Sequence, residues 1–347
     1  MTLDAGSHGA HAQTPGSTSE WARALAPFRT PANGRAVAEL VATLVPFVAM
    51  WVLTYFAWTL RILWAIVPLS IVASGLLVRL FIIQHDCGHG AFFANRRAND
   101  WLGRILGALT LTAYAHWRKT HAIHHATHGN LDRRGVGDVD TLTVAEYLAR
   151  PRWARWRYRL YRHPFVMFGI GPAYVFLIGN RFPAGFMRTG WRPWISTMGT
   201  NLAAGIAAVV LAHAIGFGPL VLVHAPILLT AATAGVWLFY VQHQFGPSHW
   251  SREPDWKARE SALLGSSHYA LPPVLRWFTA NIGVHHVHHL SSGIPFYRLP
   301  DVLRRYPALS GKNRLTFRMS FACAAFALWD ESSRRLVRFS DVRRSHM

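Results

Sequence analysis

Nine of the 20 histidines in this chain fall in three short clusters: HDCGH at 85–89, HAIHH at 121–125 and HHVHH at 285–289. On a helix, positions i, i+3 and i+4 share one face. His85 and His89 form an i, i+4 pair. His121, His124 and His125 follow an HxxHH pattern, and so do His285, His288 and His289. Each helix would present two or three imidazoles along one stripe, and neutral imidazole is the commonest metal ligand. Eight or nine nitrogens are too many for one ion and suit two ions of four or five ligands each. Ligand type alone leaves zinc, copper, iron and nickel open. Zinc sites usually close at about four ligands. Two metals held almost wholly by nitrogen at a membrane surface favour redox chemistry, with iron as the expected metal. His286 faces away from the HxxHH stripe and is left out. His243 is the expected ninth ligand and His268 its competitor. His8, His11 and His346 are read as tail residues, His213 and His224 as side chains of apolar helices.

The elements that must position these groups are apolar. Hydrophobic residues make up 51% of the 347, although 36 are Lys or Arg, and mean hydropathy is +0.16. Apolar residues are therefore gathered in blocks, with basic residues between them. Four stretches, about 39–59, 62–84, 194–215 and 217–242, meet the requirement of about 20 mostly apolar residues for a bilayer span. Two weaker runs, 102–115 and 165–179, are short or broken by Gly and Pro and predict interfacial or buried helices. A formal net charge of +20 fits nucleic acid, anionic lipid or an acidic partner protein. The apolar blocks decide against nucleic acid. Fifteen Trp suit membrane interfaces. Cys87 and Cys323 are the only cysteines, so there is no disulfide framework. Residues 1–20 lack an apolar core segment, so no cleavable signal peptide is expected. The expected division is a flexible tail over 1–35, a membrane domain over 36–320 and a cytosolic tail over 321–347.

Charge predicts topology. The link between the first two spans carries only Arg61, and the link between the last two carries no Lys or Arg. The segment 96–192 is dense in arginine, and the tails hold most of the rest. The positive-inside rule then puts both termini and the central segment in the cytoplasm. The expectation is an all-α integral membrane protein with two hairpins and a helical cytosolic cap holding the two metals. All three histidine clusters, and His243 at the end of the fourth span, fall on that one cytosolic face.

The three boxes in this order resemble the signature of the membrane fatty-acid desaturase family. The flanks HDCGHGAFF, HHATHGNLDRRG, FYVQHQF and GSSHYALPPVLRWFTANIGVHHVHHL resemble bacterial and plant acyl-lipid desaturases of the delta-12 (omega-6) kind, over roughly 40–310. The chain departs from that pattern at His128, where a threonine or similar small residue is expected, and at His268, where Tyr is expected. The resemblance implies two irons bound by His85, His89, His121, His124, His125, His285, His288 and His289, with His243 at the matching position of the fourth span. Gln242, Asn281 and Asp86 could orient ligands or their waters. Asn281 lies four residues before His285, where a continuous helix would put it on the ligand stripe. The implied reaction takes hydrogen from two adjacent methylenes with O2, leaving a double bond and water. It needs an apolar channel, for which spans two and four are natural walls, and a separate electron donor such as a ferredoxin. The basic cytosolic face suits either anionic lipid or that donor. A bacterial inner membrane is the expected location, and oligomeric state is not set.

Two rivals use the same residues. A di-iron hydroxylase or oxygenase acting on a lipid, alkane or carotenoid shares the boxes and differs in product. A metal transporter would need ionisable groups in mid-span; inside the spans lie only His224, Arg79 near the cytosolic end of the second and His213 near the far end of the third.

Overall fold

A computed structural model describes residues 17–345; His8, His11 and His346 lie outside them. Helix α1 (Thr18–Leu25) starts at a capping box. Ser17 Oγ accepts from the Glu20 amide at 3.2 Å, and Glu20 accepts from the Ser17 amide at 3.0 Å. Two long helices follow, α2 (Asn33–Thr59) and α3 (Leu63–His89), then α4 (Arg96–Leu109) and α5 (Tyr114–Thr127). Strand β1 (Leu142–Thr143), α6 (Val144–Ala149), α7 (Arg152–Tyr161) and α8 (Gly171–Leu177) lead to the second long pair, α9 (Arg192–Ile215) and α10 (Phe217–His243). The remainder is short: α11 (Ala258–Leu264), β2 (His268–Ala270), α12 (Pro273–Phe278), α13 (His285–Leu290), α14 (Leu299–Arg305), β3 (Arg314–Thr316), α15 (Phe317–Cys323), β4 (Leu328–Asp330), β5 (Arg335–Val337) and α16 (Phe339–Ser345).

α2, α3, α9 and α10 are each long and apolar enough to cross a membrane. α9 exposes Leu202, Ile206, Val209 and Val210. Such an apolar face is stable against lipid tails and costly against water. α3 and α10 have 27 residues each, or about 40 Å at 1.5 Å per residue. A hydrocarbon core is about 30 Å thick. A helix of this length that crosses the core has a last turn left over beyond it, and those turns carry His85, His89 and His243. α3 stops at Gly90, whose φ of +69° makes the left-handed cap that glycine allows.

A buried ion pair ties the first hairpin to the cap. Arg79 of α3 bonds Glu39 of α2, the Thr43 hydroxyl at 3.0 Å and the Trp277 carbonyl, and its guanidinium lies 4.3 Å from the Trp277 ring centre. On the other side, buried Arg162 donates to Tyr240 Oη at 3.1 Å, to Gln244 Oε1 at 3.0 Å and to the Phe326 carbonyl at 2.7 Å.

Two sequence expectations are corrected. Residues 17–35 are not a tail: Trp21 is 2% exposed and packs edge-on against Tyr306 at 5.4 Å. The segment after 320 is likewise packed, since β4 pairs in parallel with β1 and antiparallel with β5, burying Leu328, Trp329 and Leu336. The expected helical architecture holds, with this short sheet and a parallel pair of β2 and β3 added to it.

Candidate metal centre

The three boxes and the end of α10 converge. Within α5 the HxxHH spacing turns His121 and His125 to one side and His124 to the other. α13 repeats the arrangement with His288 against His285 and His289. The imidazoles thus sort into two groups. In the first, Nε2 of His121 lies 3.1 Å from Nε2 of both His89 and His125, and Nε2 of His125 lies 3.1 Å from that of His288. His85 completes it, its ring centre 4.6–4.8 Å from those of His89, His121 and His288. In the second, Nε2 of His243 lies 3.2 Å from Nε2 of His124, 3.1 Å from that of His289 and 3.2 Å from that of His285. His289 and His285 close the group at 3.1 Å. The groups touch where His125 stacks on His289 at 4.2 Å.

These contacts are lone pair against lone pair wherever the other ring nitrogen carries the proton. His243 Nδ1 donates to the Phe239 carbonyl at 2.7 Å, and His124 Nδ1 bonds the Asp138 carboxylate. Their Nε2 atoms then repel one another unless a cation lies between them. Nitrogens about 2.1 Å from a metal stand roughly 3.0–3.4 Å apart in octahedral or tetrahedral array, and the spacings fall in that range. Burial, followed by the neighbouring imidazoles, holds His121, His125, His285, His288 and His289 well below the ordinary histidine pKa. Neutral rings keep the lone pair that a metal requires. The residues present fit two metal ions.

The remaining expected residues separate. Asp86 accepts from His85 Nδ1 at 3.2 Å and from the Phe296 amide at 2.6 Å, so it ties α3 to the segment after α13. Gln242 donates to the Ile282 carbonyl at 3.1 Å. Asn281 is a correction: its φ is +55°, the chain turns there instead of continuing α13 backwards, and its amide reaches the Phe296 carbonyl at 3.4 Å. His268 lies outside both groups, with Nδ1 on the Ser310 carbonyl at 2.7 Å. His286 turns the other way onto the Leu309 carbonyl at 3.0 Å. One neighbour escaped the sequence reading: Asp138 supports His124 from a loop, and spacing gives no signal for it. His128, noted in the sequence only as a departure from the family pattern, packs on the second group, its ring centre 4.6 Å from that of His243.

A cavity of about 300 Å³ opens onto the centre. Leu77, Val78 and Phe81 of α3 and Leu228, Ala231 and Gly235 of α10 form its apolar walls, and His85, His121 and His285 stand at its metal end. Trp117 lines it too and stacks on His121 at 4.6 Å.

Comparison with known proteins agrees with this architecture. The family model described as fatty acid desaturase matches residues 62–321. A fatty acid desaturase of Bacillus subtilis (strain 168) is 42% identical over 319 residues, covering 92% of this chain and 90% of that protein. The sn-1 oleoyl-lipid 12-desaturase of Synechocystis sp. is 27% identical, over 68% of this chain and 67% of its own. The sn-1 acyl-lipid omega-3 desaturase (ferredoxin) of the same organism is 29% identical, over 68% and 66%.

Proposed function

The chain belongs to the fatty acid desaturase family, whose members are oxidoreductases, and we propose that it is an acyl-lipid desaturase working through two irons. One observation carries the reading: nine imidazoles form two groups of five and four at the end of an apolar cavity. His85, His89, His121, His125 and His288 hold one iron; His124, His243, His285 and His289 hold the other. The bound irons supply O2-dependent removal of hydrogen from two adjacent methylenes, which acid–base groups cannot perform.

The chain's own residues do the rest. Leu77, Phe81, Leu228 and Ala231 exclude water and lay an alkyl chain between α3 and α10. Asp86 and Asp138 hold His85 and His124 by their Nδ1 atoms and so aim the opposite nitrogens at the metals. Trp117 covers the face of His121. The positive-inside rule puts this face in the cytoplasm, with the bacterial inner membrane as the location. The basic surface there suits an acidic electron donor such as a ferredoxin, the donor named for the Synechocystis relative.

The test is the fatty-acid profile of a bacterial host lacking polyunsaturates, expressing this chain with a ferredoxin, read by mass spectrometry with double-bond derivatisation. A new unsaturated species is expected, and its fragments give the bond position. A hydroxylated product would move the assignment to the oxygenase rival.

A further inference from the structure

The second group of imidazoles has four members where the first has five. Beside it stands His128, a fully buried histidine that the nine-ligand set does not use. Its ring centre is 4.6 Å from that of His243 and 4.8 Å from that of His289. The ligand rings of this group are spaced no more closely: His124 to His243 and His243 to His285 are each 4.7 Å, and His285 to His289 is 4.6 Å.

The hydrogen bonding of His128 decides its tautomer. Nε2 lies 3.0 Å from the Gly265 carbonyl, an acceptor with no proton to give. Nε2 therefore carries the hydrogen, and in the neutral ring Nδ1 is a bare lone pair. No donor among the described residues reaches that nitrogen with a hydrogen bond. The residues around His128 hold it in place. Its own carbonyl accepts from Trp256 Nε1 at 2.9 Å and from the Ser261 hydroxyl. A Cβ at residue 265 would come within 2.9 Å of His128 Nε2, so glycine there lets the ring seat. One ring nitrogen of His128 also lies within 4.8 Å of ligand atoms on His124 and Asp138.

We propose that His128 is a tenth imidazole of this centre, binding the second iron through Nδ1 and making both sites five-nitrogen sites. The inference rests on the two-iron reading above. A threonine, expected at this position from the family pattern, has no comparable ligand, so the assignment is specific to chains with histidine here.

The test uses full-length protein loaded with ⁵⁷Fe, as wild type, His128→Gln and His128→Thr. Glutamine keeps a donor for the Gly265 carbonyl and removes the imidazole lone pair. Bound iron after dialysis against a weak chelator and the Mössbauer spectrum are read together, independently of turnover. The variants are expected to keep one tightly held iron and to lose the second at chelator concentrations roughly 10–100-fold below those the wild type withstands, the scale of lost support at a metal site. Of the two wild-type iron signals, one should shift or vanish and the other remain. Two retained irons with an unchanged spectrum in a variant that inserts normally would overturn the proposal and make His128 a strut between α5 and the C-terminal end of α11. If neither variant inserts, an experimental structure of iron-loaded wild type decides. An Nδ1–iron distance of about 2.1 Å supports the assignment, and a separation beyond roughly 3 Å refutes it. A wild type that binds no iron pair would instead remove the two-iron reading itself.

Discussion

His125 stands at the junction of the two groups, 3.1 Å from His121 and from His288 and stacked on His289. Replacing it with alanine removes one of five nitrogens from the first group and the ring that separates the two. His125→Ala is expected to insert normally, to bind less iron and to lose turnover by at least roughly a hundredfold, about 2.7 kcal/mol of barrier. Metal analysis and product yield from the same membranes check this, and full activity would remove His125 from the ligand set. The imidazole stripes themselves were legible, because i, i+3 and i+4 spacing needs only local helix geometry. Asp138 was not. It meets His124 from a loop 14 residues away, and no periodicity relates a loop carboxylate to a helix face. Asn281 shows the opposite failure: a helical extrapolation placed it on the stripe, and a left-handed backbone turn takes it off.

α3 and α10 are each long and apolar enough to span a membrane, and each also walls the cavity and carries histidines of the two groups at its end. Gly235 of α10 lines the cavity, and a Cβ built on it meets no atom within 4 Å. Gly235→Leu should therefore fold, with about 0.5–1 kcal/mol gained in helix propensity, while its side chain fills the cavity proposed for an alkyl chain. Product formation is expected to fall by roughly tenfold or more, about 1.4 kcal/mol, with iron content and unfolding temperature not reduced. Undiminished product would place the substrate elsewhere. The spans were readable from hydropathy alone, and only the start of α2 and the end of α3 run several residues further in the structure. The two ends of the chain were misread for different reasons. Ser17 and Glu20 spell a capping box that announced α1, but the polar residues around it hid the signal. Strands of three residues, such as β4 and β5, are too short to show alternation, and they are stable only because β1 supplies a partner edge from elsewhere in the chain.

For the whole molecule, the two-iron proposal has metals bridging segments far apart in sequence. The second group joins α5, α10 and α13 and the first joins α3, α5 and α13, so metal loss should loosen the cap while the spans stay in the membrane. Chelator-treated protein is expected to lose activity and to become more sensitive to protease across the cap, with ferrous iron restoring both. Zinc is expected to restore protease resistance and not activity, since it binds imidazole and has no redox chemistry. Activity restored by zinc alone would end the redox assignment.

The sequence by itself determined the helical membrane architecture, the family and the residues of the three boxes, because hydropathy, charge bias and helical periodicity are properties of contiguous residues. The tertiary structure alone decided which imidazole joins which group, that His243 and not His268 stands among them, and that Asp138 and His128 stand behind them. Those are distances between side chains up to about 200 positions apart, as for His85 and His288. Only packing α5 and α13 against the ends of α3 and α10 determines them.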